Sequence, residues 1–63
     1  MKAIKLGTRF FDEREGRYIT PDGVGCDPNV YSCVVEELND SGDFEISGRQ
    51  LFTVGELSNF KEA

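Results

Sequence analysis

Carboxylates are the commonest side chains in this sequence that could do chemistry. Adjacent pairs stand at Asp12-Glu13 and Glu36-Glu37, and Glu45 comes back toward Glu37 if the segment between them folds over. Paired carboxylates divide into a general acid and a general base only where a cleft pulls their pKa values apart. A chain of 63 residues has little room for such a cleft, so these pairs read as surface charge. Histidine is absent, which excludes Ser-His and Cys-His nucleophile pairs within one chain. Cys26 and Cys33 cannot fill a four-ligand zinc site without help from carboxylates or a second chain. Cys33 lies in an apolar run and reads as a small buried residue. Cys26, between Gly25 and Asp27, is the more exposed thiol, with acidic neighbours that make it a poor nucleophile. The oxygen-rich run from Asn39 to Glu45 lacks the residue order and distant Glu of a calcium loop and reads as a turn. Gly23 and Gly25 are not followed by the Lys-Ser/Thr pair of a phosphate loop. No enzyme activity, cofactor or metal is expected.

Side chains suited to binding are more evident. Phe10 and Phe11 cannot both face inward from one strand, and Tyr18 and Tyr31 have polar ends that suit a rim. Aromatic groups left at a surface anchor protein interfaces. Twelve acidic residues against seven basic give a net charge of −5, and five of the acids (Glu36, Glu37, Asp40, Asp43 and Glu45) have no Lys or Arg among them. Such a cluster serves solubility or presents a face to a basic partner. The candidate partner-binding residues are therefore Phe11, Tyr18, Tyr31, Glu36, Glu37, Asp40, Asp43 and Glu45. The charge balance weighs against nucleic acid. A local basic-aromatic patch of Lys5, Arg9, Arg14, Arg17 and Arg49 with Phe11 and Tyr18 is the alternative.

The elements that must position these groups are short strands. Residues 4–11 alternate apolar and polar, which predicts a strand with a bend at Gly7. A charged turn leads to a short strand at residues 18–20, and Pro21-Asp22-Gly23 predicts a turn opening a loop to Asn29. Residues 30–38 and 44–47 form a hairpin around Asp40-Ser41-Gly42, with Gly42 in the left-handed position of a three-residue loop. This register sets Leu38 opposite Phe44 and Glu37 opposite Glu45. A bulge near Glu36-Glu37 would bring Leu38 onto the face of Tyr31, Cys33 and Val35. After a break at Gly48-Arg49, residues 50–54 form a further strand. Thr53 and Glu56 match a capping box, followed by an apolar stripe of Val54, Leu57 and Phe60 on a short helix.

The whole is one mainly β domain covering residues 1–63. The opening residues 4–10, the central hairpin and the run from Thr53 to Leu57 together resemble an SH3-like small β-barrel. The resemblance implies a five-stranded antiparallel barrel with a short C-terminal helical turn. The peptide groove of SH3 domains is not carried over, because Trp and any Ala-Leu-Tyr-Asp-Tyr-like run are missing. An open antiparallel sheet with the C-terminal helix packed on one face is the alternative. Hydrophobic content of 38% suits a globular domain, and no apolar run approaches a membrane span. Met1-Lys2 is followed by alternation and not by a signal-peptide core, which predicts a cytoplasmic protein. The expected function is a non-catalytic protein-binding module. A small accessory or inhibitor protein of the kind phage and mobile elements encode fits this profile. An exposed strand edge, at residues 4–11 or 50–54, would also allow a homodimer.

Overall fold

A computed structural model describes residues 4–63, so the reading of Met1-Lys2 lies outside the described residues. The chain forms β1 (Phe10–Asp12), β2 (Arg17–Val24), β3 (Val30–Leu38), β4 (Phe44–Thr53), α1 (Val54–Ser58) and β5 (Lys61–Glu62). The strands make one antiparallel sheet in the order β4-β3-β2-β1-β5. Among the described residues β4 and β5 do not pair, so the sheet is not closed into a barrel. The structure takes the open-sheet alternative. Closure needs a long ladder between the two edges, and here ten residues of β4 would face two of β5.

The core lies on one face of this sheet. Phe10, Ile19, Tyr31, Cys33, Val35 and Phe52 point to it by strict alternation, and Leu57 of α1 closes over them. Ile4, Val54 and Phe60 pack around this set. Phe60 packs from beyond the helix end at Ser58, while Val54 and the fully buried Leu57 lie on the helix as expected. Burying a side chain of this size contributes about 2 kcal/mol. The helix begins as a capping box: the Glu56 amide donates to Thr53 Oγ1 at 3.1 Å, and the Thr53 amide to Glu56 Oε1 at 2.8 Å. The Val54 amide also donates to the Asn29 carbonyl at 2.9 Å, which ties the helix start to the β2–β3 loop.

Five local expectations change. The alternating residues 4–9 are not a strand, because Gly7 takes φ +91, a left-handed value that turns the chain. Its amide donates to the Pro21 carbonyl at 2.8 Å, so this segment covers the end of β2, and β1 starts only at Phe10. Pro21-Asp22-Gly23 is not a turn either. It lies inside β2, where the pairing shifts between Pro21 and Gly23 and accommodates a residue without an amide hydrogen. The hairpin register is as expected, with Leu38 opposite Phe44 and Glu37 opposite Glu45. Its bulge, however, falls on β4: Val35 pairs with Gly48 and Glu36 with Ile46, leaving Ser47 extra. The expected break at Gly48-Arg49 does not occur: Gly48 pairs with Val35 and Arg49 with Val34, and residues 44–53 run as one strand. The fifth strand is instead Lys61–Glu62, beside β1.

Candidate protein-binding face

The face opposite the core has no helix packed on it among the described residues, and its side chains meet along a diagonal. The Tyr18 ring, on β2, lies 4.9 Å from Phe11 on β1. It lies 4.8 Å from Phe44 on β4, edge to face. The Arg9 guanidinium sits over the Tyr18 ring at 3.7 Å, and its Nη2 is 3.4 Å from Glu36 Oε1. The ladder explains the grouping, since Phe11 pairs with Tyr18, Tyr18 with Glu36, Glu36 with Ile46 and Leu38 with Phe44. Leu38, Ile46 and Leu51 are 58%, 70% and 60% exposed on this side, and Phe44 is more than one-third exposed. Exposed apolar groups gathered on one face make it the candidate for an interaction surface.

The eight expected binding residues separate into three groups. Phe11, Tyr18 and Glu36 come together on the open face. Asp40 and Asp43 lie at the hairpin tip, where Asn39 Oδ1 accepts from the Ser41 and Asp43 amides, and Glu37 faces Glu45 just inward. Tyr31 does not reach a rim: even-spaced alternation along β3 puts it in the core, 8% exposed. The acidic cluster is less uniform than its sequence suggests. Arg9 neutralises Glu36, and Arg17 lies directly across from Glu37.

Two further features were missed in the sequence. A bulge on β3 would bring Leu38 onto the core face, but the bulge lies on β4, leaves β3 alternating regularly and keeps Leu38 on the open face. The run Phe44-Glu45-Ile46, alternating just after the turn, was the available signal for the apolar edge. Arg49 reaches across β3 to make two hydrogen bonds with Asp22, at 2.8 and 2.7 Å. This guanidinium holds the Asp22 carboxyl below its ordinary value.

On the covered face an open groove of about 750 Å³ runs past Asp12, Arg14, Arg17, Phe52, Glu56 and Phe60. Several of its polar groups are already engaged. Asp12, 5% exposed, accepts from the Arg14 and Glu15 amides and from Arg17 Nε at 3.2 Å, while Glu56 caps α1. Arg17 in turn lies 5.7 Å from the Phe52 ring centre and shields it. Among the described residues no three metal-ligating side chains converge. Cys26 is exposed, and Cys33 is buried, with burial and the nearby Asp22 charge pushing its thiol up to about 11. No helix among the described residues is long and apolar enough to cross a membrane. The chain matches no family model, no curated protein and no solved structure.

Proposed function

We propose that this protein is a non-catalytic module that docks its open sheet face and acidic hairpin on a basic surface of another protein. The observation that carries the reading is the exposed set Leu38, Phe44, Ile46 and Leu51 beside the Phe11–Tyr18 pair, on the side away from the core. Folding gains little from apolar groups left in water, and a partner that covers them gains about 25 cal/mol per Å². The hairpin carboxylates add orientation and association rate. A small accessory or inhibitor protein would act in this way. No ligand groove is taken from the resemblance of the sequence to SH3-like barrels.

The test is capture of partners from lysate by the intact protein and by a Leu38→Thr, Ile46→Thr variant. Both sites are exposed, so the variant should fold with stability changed by less than about 0.5 kcal/mol per site. A partner retained by the intact protein should be lost from the variant. Equal retention by both removes the face from the binding site. A second reading, nucleic-acid binding, draws on the stack of Arg9 over Tyr18 beside Phe11 and Phe44. Both guanidiniums on this face are committed to carboxylates, which weakens it. Oligonucleotide anisotropy at low salt decides, because phosphate attraction is strongest there.

A further inference from the structure

We propose that the outer edge of β4 accepts an extended basic segment of the partner as a sixth strand. The inference rests on the protein-binding reading above and specifies how the partner sits. Proteins protect edge strands by keeping them short or by placing Pro and Lys on them. The other edge of this sheet, β5, has two residues. By contrast β4 has ten, contains neither Pro nor Lys, and pairs on one side only among the described residues. In an antiparallel strand, alternate residues turn their amide and carbonyl groups away from the neighbour. Those groups on β4 face outward, ready for a further strand. The Ser47 bulge interrupts the edge, so the regular arm is residues 48–53.

The side chains of the edge favour the same event. Ile46 and Leu51, 70% and 60% exposed, stand on the open face at either side of the bulge. An added strand would lay its own apolar side chains beside them, extending the Phe11–Tyr18–Phe44 row outward. Pairing of this kind takes affinity from backbone hydrogen bonds and specificity from alternate side chains.

Charge selects the occupant. None of Glu37, Asp40, Asp43 and Glu45 is in an ion pair among the described residues, and Arg49, the cation of β4, is held by Asp22. The edge is therefore negative toward the hairpin. A second copy of this chain would bring a net charge of −5 against −5. An alternating apolar and basic segment meets no such repulsion, and where it runs on past the Ser47 bulge it places cations beside Glu45 and Asp43.

The experiment uses the intact, isotope-labelled protein and a short synthetic peptide alternating valine and lysine. Amide hydrogen exchange at residues 48–53 should slow by about tenfold or more with this peptide and not with its valine–glutamate counterpart. Methylating alternate backbone nitrogens of the peptide should weaken binding by about tenfold, the equivalent of one or two lost hydrogen bonds. Binding that shifts only the Leu38, Phe44 and Ile46 side chains, with no slowing at residues 48–53, overturns strand addition and leaves face docking standing. Absence of binding overturns it too, and the lysate capture then decides the docking reading separately. Slowing that grows with protein concentration and needs no peptide would instead assign the edge to a second copy.

Discussion

Asp12 is a charged residue committed wholly to structure. Its buried carboxylate accepts from two amides of the β1–β2 turn and from Arg17, so removing it strands an arginine and two donors together. Asp12→Ala should cost about 3 kcal/mol in a urea titration, a large part of the stability of a domain this small. A loss under about 1 kcal/mol would show that water replaces the carboxylate cheaply. The buried thiol of Cys33 makes a second case. Its value is raised from 9.0 to about 11, so the unfolded chain loses this proton first as pH rises. The associated stability is complete below about pH 9 and is lost progressively between pH 9 and about 11. Replacing Cys33 by Ala should make the fall in stability across that window shallower. In the native protein iodoacetamide should modify Cys26 and spare Cys33 until the chain unfolds. Early labelling at Cys33 would show local opening of β3.

At the scale of elements, what could be read in the sequence was what is determined over a few residues. The Asp40-Ser41-Gly42 turn set its own register, since the Asn39 amide donates to the Asp43 carbonyl and Gly42 takes φ +86. Gly42→Ala should cost about 1–2 kcal/mol in thermal unfolding, because a side chain there meets the left-handed penalty. The capping box was equally local, and Thr53→Ala should cost about 1 kcal/mol. A neutral result in either would mean that distant contacts hold the element. Other elements depended on distant partners. The alternation of residues 4–9 is as regular as that of β3, yet no strand among the described residues receives it, and Gly7 turns it toward Pro21. Lys61–Glu62 has no strand signal of its own and exists because β1 leaves an edge for it. Bulge placement was similarly hidden. Val34-Val35 suggested an irregularity on β3, but Ser47 absorbs it and donates its hydroxyl to the Val35 carbonyl at 3.3 Å. That single-residue choice keeps Leu38 on the open face and so decides which residues make up the candidate site.

The whole molecule is a two-sided sheet with one side finished. Leu57 and its neighbours close the core face, while the other face keeps an aromatic row in contact with water and a hairpin of carboxylates at one end. The hairpin charge can be separated from the fold. Glu37 faces Glu45 across the ladder, a like-charge pair that costs a few tenths of a kcal/mol. Replacing Glu37 by Gln, Asp43 by Asn and Glu45 by Gln should therefore leave the stability unchanged or slightly raised. Arg9–Glu36 and Asp22–Arg49 remain in that variant, so the open face keeps its geometry. If the hairpin steers a basic partner, association should slow in the variant at low salt. Its dependence on salt should also flatten, because the long-range attraction that salt screens has gone. Dissociation should change less, as the apolar contacts of the face are retained. An association rate and salt dependence equal to those of the intact protein, with the fold verified, would leave the carboxylates as a means of solubility alone and the apolar face as the sole contact.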